Sequence, residues 1–232
     1  MSLIRIAAAT ATLAISTTLS AQVVTNSSFE AFTSIFSGNG DAVLLAGSTQ
    51  LTGWTVVGGE SALLRNGNVY GLTSRSGANF LDLAGFTDRG FPKGISQSVT
   101  GLTVGQTYTF SMWLGTFNGP CAQVGFNRCS GPIEARATVG ASSQTFTHNP
   151  TAAGNQWGNY TFNFAASSST MLLLIEGISL PSGNAYIGLD DVSIVATTTP
   201  PPMGTVPEPR TYALMVAGLG VVSLLARRRR QQ

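Results

Sequence analysis

Two segments of strict alternation between apolar and polar residues constrain the fold more than any other feature of the sequence. In QTYTFSMWL, residues 106–114, every second residue from Tyr108 to Leu114 is apolar, and NYTFNFA, residues 159–165, repeats the pattern. A period of two residues places successive side chains on opposite faces of a strand. We therefore predict two antiparallel strands, each with one face buried in a core.

The rest of the chain between residues 22 and 196 shows the same character. Short segments rich in Thr, Val and aromatic residues, separated by Gly, Asn and Ser, predict further strands. These segments are VVTNSSF, GWTVV, NFLDLAG, GISQSV, IEARATV, SQTFT, TMLLLIEG and AYIGLDDVSIV. Since none of them has a helical period, the sequence predicts an all-β domain, a single antiparallel β-sandwich over residues 22–196 that is long enough to form a core.

Residues 1–21 have the composition of a secretory signal peptide. Arg5 precedes an apolar stretch, and small residues follow before Ala21. This order is typical of an exported precursor, with cleavage expected after Ala21 or, alternatively, after Ser20. A buried N-terminal helix is the other interpretation.

The charge of the exported part excludes one class of function. Residues 22–205 carry six basic side chains against nine acidic ones, a net charge of −3. Nucleic-acid binding requires a basic surface, so none is expected here.

Two cysteines, Cys121 and Cys129, lie in the segment GPCAQVGFNRCSGP. An even number of cysteines in an exported chain predicts a disulfide, here closing a short loop. A reactive thiol or a metal site is the alternative, but the single histidine of the chain, His148, is distant in sequence.

The C-terminal segment has a composition unlike that of the β-rich part. A Thr/Pro linker, residues 197–205, precedes the uncharged apolar segment Tyr212–Ala226, which four arginines, Arg227, Arg228, Arg229 and Arg230, follow. The apolar segment is shorter than the roughly 20 residues of a usual membrane span, and the arginines would stay on the cytoplasmic side. A permanent single-span anchor and a buried core helix are alternatives to a temporary membrane helix over residues 212–226.

The order of Pro207-Glu208-Pro209, apolar helix and arginine cluster, within residues 206–232, resembles the PEP-CTERM sorting signal. The resemblance implies an exported protein of a Gram-negative, exopolysaccharide-producing bacterium. It also implies temporary anchoring in the inner membrane, cleavage near Pro207, Glu208 and Pro209 by an exosortase, and delivery to the cell surface or extracellular matrix.

The order of several short motifs between residues 23 and 195, among them VVTNSSFE, GWTVVGG, FLDLAG and YIGLDDVSIV, resembles that of galactose-binding-like jelly rolls. That group includes carbohydrate-binding modules and DUF642-type domains. The resemblance implies a jelly-roll sandwich that binds extracellular polysaccharide without catalysing a reaction. The rival interpretations are a purely structural surface or matrix protein and an enzyme acting on polysaccharide.

Related modules hold a structural calcium ion between their first and last strands, and the matching residues here are Glu30 and Asp190. Asp190 has the same strand parity as Val192 and Ile194, so we expect it to point inward, where a carboxylate needs a partner or a metal. The alternative is that Asp190 accepts backbone amides in a turn and that Glu30 is solvated.

Aromatic side chains on a polar face are candidate sugar contacts, because the apolar face of a sugar stacks on a ring. By alternation Trp113 lies opposite the apolar face of its strand, and Trp157 lies opposite the apolar face of residues 160–164. Either ring could instead be covered by a loop. Asp82 could hydrogen-bond a sugar or serve a structural role, and Trp54 is predicted to lie in the core.

The sequence offers little support for catalysis. Its carboxylates show no recognisable pairing for glycoside hydrolysis, and neither a G-x-S-x-G nor an H-E-x-x-H motif is present. His148 is expected to be a solvated loop residue. We therefore expect a protein that is not an enzyme.

Overall fold

The computed structural model of the 232-residue chain describes residues 23–86, 90, 92–118, 131–179, 186–197 and 227–229. Residues 1–197 and 198–232 form two separate compact units. In the second unit, 227–229 are helical and exposed, whereas the predicted membrane helix, residues 212–226, lies outside the described residues. Among the helices that are described, none is long and apolar enough to cross a membrane.

Eleven strands are described in the first unit. They are β1 Asp41–Leu44, β2 Thr55–Val57, β3 Ser61–Arg65, β4 Asn79–Asp82, β5 Lys93–Thr100, β6 Thr107–Asn118, β7 Ile133–Val139, β8 Ser142–His148, β9 Gly154–Ala165, β10 Thr170–Ser179 and β11 Gly188–Ala196. They form a six-stranded sheet in the order β1-β3-β4-β11-β6-β9 and a five-stranded sheet in the order β2-β5-β10-β7-β8. The pairings within both sheets are antiparallel. The predicted all-β sandwich is therefore confirmed.

The main core lies between the two sheets and follows the alternation seen in the sequence. Phe110, Met112 and Leu114 of β6 are fully buried, as are Leu173 and Ile175 of β10 in the other sheet. Burying each such side chain contributes about 2 kcal/mol relative to leaving it in water. The core prediction for Trp54 is also confirmed, because it is 1% exposed.

One strand prediction was wrong. Residues 23–29, VVTNSSF, form turns rather than a strand, and Asn26 and Phe29 have φ angles of 51° and 62°. The side chain of Asn26 replaces strand pairing, because its amide donates to Ala31 O and its Oδ1 accepts from Ala31 N. Conversely, β1 and β3 were not predicted.

The outer face of the six-stranded sheet carries a second, smaller core under the loop between β3 and β4. This covering loop, residues 66–78, buries Tyr70 and Leu72 against Leu64 and Phe80 of the sheet. One end of that sheet is therefore apolar on both faces. The covering loop shields the outer of these two faces from solvent.

Candidate functional site

Trp113 lies on the outer face of the six-stranded sheet. Its neighbours along β6, Met112 and Leu114, are fully buried, whereas Trp113 is half-buried. The register places it between Asn159 on β9 and Asp190 on β11. The alternation thus correctly predicted the face on which this ring lies.

Arg75 covers part of the Trp113 ring. The guanidinium carbon lies 4.2 Å from the ring centroid, a distance at which the cation is attracted by the π face. The Arg75 side chain is 41% exposed, and a guanidinium nitrogen is 3.8 Å from Asp191 Oδ2. Sequence reasoning missed Arg75, because nothing in the segment TSRSG connects it to a tryptophan 38 residues later.

Asp190 faces outward, and the parity argument for it was wrong. The β11–β6 register shifts between Asp190 and Ser193, so that two residues oppose one, and Asp191 has a φ of 46°. Such a bulge reverses the face of the residues before it relative to those after it. Asp190 therefore shares a face with Trp113, while Val192 and Ile194 point into the core.

Although it faces outward, Asp190 is fully buried, because the covering loop lies over it. Its Oδ2 accepts hydrogen bonds from the amides of Arg75 at 2.8 Å and Ser76 at 3.1 Å, and its Oδ1 accepts from the amide of Asp191. Burial raises the pKa of Asp190 to about 7, and the amide donors oppose that rise. This carboxylate holds the backbone that carries Arg75.

Glu30 binds the next part of the same loop. Its Oε1 accepts from the amides of Ala78 and Asn79, both at 2.8 Å, and its Oε2 accepts from Asn79 Nδ2 at 2.6 Å. The two predicted calcium ligands thus contact one loop, but all four of their oxygens accept N–H donors. Oε1 of Glu30 and Oδ2 of Asp190 each accept two N–H donors, so the loop already occupies much of the acceptor capacity of both carboxylates. No group of three metal-ligating side chains was found among the described residues.

A polar strip continues from Trp113 along the outer face of β6, β9 and β11. Its hydrogen bonds include one of 2.7 Å between Ser111 and Ser193 and one of 2.8 Å from Thr109 to Asn163. Asn159 and Thr161, next to Trp113 and Ser111 in the register, are exposed. Short hydroxyl and amide side chains therefore surround the partly covered ring.

Trp157 also lies on this outer face, but the covering loop occupies it. Its Nε1 donates to Thr73 O at 3.0 Å, and its ring meets Phe80 edge-on at a centroid distance of 5.9 Å. The ring packs directly over Gly115, where a Cβ would lie 2.5 Å from its Cδ2 atom. Trp157 accordingly belongs to the smaller core in this structure.

Asp82 lies away from solvent, with 1% of its surface exposed. Its Oδ1 accepts from the amides of Ala84 and Ile187. Burial raises the pKa of Asp82 to about 7, while the two amides and the nearby Lys93 lower it. The side chain joins two chain segments and presents no oxygen to the polar strip.

His148 is not the solvated loop residue that we expected. It ends β8 and is buried, with Nδ1 3.1 Å from Tyr160 Oη and Nε2 3.1 Å from Gln156 O. Burial lowers the pKa of His148. These contacts join β8 to β9, the edge strands of the two sheets.

Several predicted features lie outside the described residues. They are the signal peptide over 1–21, Cys121 and Cys129, the sorting tripeptide Pro207, Glu208 and Pro209, and Arg230. Arg227, Arg228 and Arg229 are described as exposed.

Comparison with known protein families identifies the C-terminal segment. Residues 205–230 match the PEP-CTERM protein-sorting motif, which confirms the resemblance of the tail and indicates an exported, surface-sorted protein. The chain is thus a β-sandwich that carries a C-terminal sorting motif.

Among individual proteins, halomucin of Haloquadratum walsbyi (strain DSM 16790 / HBSQ001) is 30% identical to this chain over 179 residues, which cover 77% of this chain. The chain spans only 2% of the length of halomucin.

Structural neighbours include jelly rolls of carbohydrate-binding modules. One is TmCBM61, solved in complex with β-1,4-galactotriose, which matches with a TM-score of 0.44 and 16% sequence identity. The match covers 77% of this chain and 100% of TmCBM61. Another is the CBM22-1 xylan-binding domain of Paenibacillus barcinonensis Xyn10C, which matches with a TM-score of 0.36 and 21% sequence identity. The match covers 66% of this chain and 92% of that domain. The arabinose-bound α-L-arabinofuranosidase MgGH51 has a TM-score of 0.48 and 14% identity, with coverage of 78% and 27%. All three TM-scores lie below 0.5, so these similarities identify no ligand for this chain.

Proposed function

We propose that this protein binds carbohydrate of the extracellular polysaccharide matrix, without catalysing a reaction, on the polar strip around Trp113. The observation that supports the proposal is the half-buried indole ring among exposed hydroxyl and amide side chains. An aromatic ring beside short polar groups offers both stacking and hydrogen bonding to a sugar.

The bulge at Asp190 and Asp191 adds support. It bends a long central strand at the point where the covering loop meets the sheet. Bulges and left-handed backbone are frequent beside binding sites, where they re-aim side chains. Here the outcome is that the loop holds Arg75 against the ring.

The proposal is tested with the full chain, purified in a mild detergent, on an array of immobilised glycans. Binding of at least one glycan is expected, and Trp113→Ala should weaken it by about tenfold through the loss of stacking. Leu172→Ala removes an apolar side chain that is 54% exposed on the outer face of the other sheet, and it should leave binding unchanged. Absence of any bound glycan, or equal binding by Trp113→Ala, would contradict the proposal.

A purely structural matrix protein is the second candidate, and one contact favours it. Arg75 already stacks on Trp113, so the ring face is not wholly available to a sugar. An array on which no glycan is retained would support this function instead.

A second part of the proposal concerns cleavage of the C-terminal segment. We propose that an exosortase cleaves the chain near Pro207, Glu208 and Pro209 after the apolar segment has held it temporarily in the inner membrane. Mass spectrometry of the mature protein from exosortase-containing cells should find a C-terminus in that region, whereas a product that retains Arg227–Arg230 would favour a permanent anchor.

Calcium at Glu30 and Asp190 stays a prediction, and the hydrogen bonds described above argue against it. If those carboxylates hold the covering loop through amides alone, thermal unfolding should show the same Tm in excess calcium as in EDTA. A Tm that rises with calcium concentration and falls with EDTA would show that a cation replaces the amide donors.

A further inference from the structure

Arg75 stands out because its guanidinium makes no short polar contact with the described part of the chain. Although the ring of Trp113 supports the group from one side, the Arg75 side chain donates no hydrogen bond within the part of the chain that the structure describes. Its nearest acidic atom, Asp191 Oδ2, is 3.8 Å away. At that distance the ion pair lacks the short contact of a charge-assisted hydrogen bond.

The position of Arg75 is set by its backbone rather than by its side chain. The amides of Arg75 and Ser76 both donate to the buried Asp190 carboxylate, and the Ser76 hydroxyl donates to Asp191. The backbone is therefore anchored, while the Arg75 side chain remains 41% exposed at the edge of the polar strip. Because this backbone is already ordered, only the side chain of Arg75 loses conformational freedom when a ligand binds.

The nearby acids engage the positive charge of Arg75 only through the long ion pair with Asp191. Asp190 is buried and accepts three amides, and one oxygen of Asp191 accepts from the Ser76 hydroxyl. A planar guanidinium with free donors matches the geometry of a carboxylate, which it can bind through two parallel hydrogen bonds. A carboxylate close to the ring would exchange the long contact to Asp191 for two short ones.

We propose that Arg75 makes the Trp113 site selective for sugars that bear a carboxylate, so that the ligand is an acidic, uronate-containing polysaccharide. The inference rests on the proposed carbohydrate-binding function. The ring of Trp113 would contact both the sugar and the Arg75 guanidinium, and Arg75 would bind the carboxylate. Asn159 and Thr161 would contact hydroxyl groups of the sugar.

The test uses polygalacturonate, polyglucuronate and polymannuronate, each beside its carboxyl-reduced form, which has the same linkage but no charge. The full chain in a mild detergent should bind at least one acidic polymer about tenfold more tightly than its reduced form, and added salt should weaken that preference. Arg75→Gln should remove the preference. Arg75→Lys should retain only part of it, since a point charge cannot form the paired contact.

Arg65→Gln is the matched control, because Arg65 also lies over an aromatic ring, that of Phe36 at 5.4 Å. Arg65 ends β3, which β4 and β11 separate from β6 and Trp113. It removes the same charge and should leave the preference unchanged. Binding of the reduced polymers as tight as that of the acidic ones, sensitive to Trp113→Ala but not to Arg75→Gln, would overturn the inference and leave the proposed function standing. Failure of every acidic and neutral glycan to bind would overturn both.

Discussion

Gly77 and Glu30 provide the sharpest test of how the covering loop is held. Gly77 has a φ of +62°, and a Cβ added there would lie 2.8 Å from Cδ of Glu30. Gly77→Ala should therefore push the Glu30 carboxylate away from the two amides and the Asn79 side chain that donate to it. The clash and the hydrogen bonds involve the same group, so the two residues should be strongly coupled.

The magnitudes follow from the number of contacts. Glu30→Ala removes three hydrogen bonds at a partly solvated site, which should lower the free energy of unfolding by about 2–3 kcal/mol. Gly77→Ala should lose a similar amount, plus about 1 kcal/mol for a left-handed alanine. In the double variant the carboxylate is absent, so only the backbone strain is added to the effect of Glu30→Ala. The expected coupling is therefore about 2–3 kcal/mol, the hydrogen-bond loss that both single variants share.

The assay is denaturant unfolding followed by tryptophan fluorescence, with thermal scans in which about 1 kcal/mol corresponds to 2–4 °C of Tm. Gly67→Ala is the control, since Gly67 lies in the same loop with a φ of +79° and nothing within 4 Å of an added Cβ. The loss of unfolding free energy caused by Gly67→Ala should be additive with the loss caused by Glu30→Ala. A coupling between Gly77→Ala and Glu30→Ala within about 0.5 kcal/mol of zero would refute the reasoning.

Two further changes test the interior. Gly115→Ala places a Cβ 2.5 Å from Cδ2 of Trp157, so it should destabilise the fold by about 1–3 kcal/mol through overpacking and shift tryptophan emission to the red. Unchanged stability and emission would show that the ring can move freely. The pKa of Asp82, raised from 3.8 to about 7 by burial, predicts a pH dependence: between about pH 4 and pH 7 the folded state holds a proton that the unfolded state has released. The free energy of unfolding should therefore fall as pH rises through this window, and Asp82→Asn should flatten the slope in pH-dependent urea unfolding. An equal slope in wild type and variant would assign the dependence to other groups.

The sequence predicted most of the sandwich because strand alternation is a local property. The pattern of residues 106–114 alone places Met112 in the core and Trp113 outside it, whatever the other strands do. The short β1 and β3 escaped prediction because their residues are buried on both faces or lie at an edge, which removes the alternating pattern. Residues 23–29 have strand-forming ends, but the local hydrogen bonds of Asn26 prevail.

What the sequence determined by itself was thus the fold class, the outward face of Trp113 and the sorting motif of the tail. Each depends on residues that are neighbours in the chain. Only the tertiary structure decided which side chains meet at the candidate site. A bulge at Asp191 reversed the expected orientation of Asp190. A loop anchored by carboxylates 48 and 115 residues away in sequence then placed Arg75 on the Trp113 ring. Parity counts along a strand cannot foresee an inserted residue, and contacts across such separations arise only when the sheets have closed on their core.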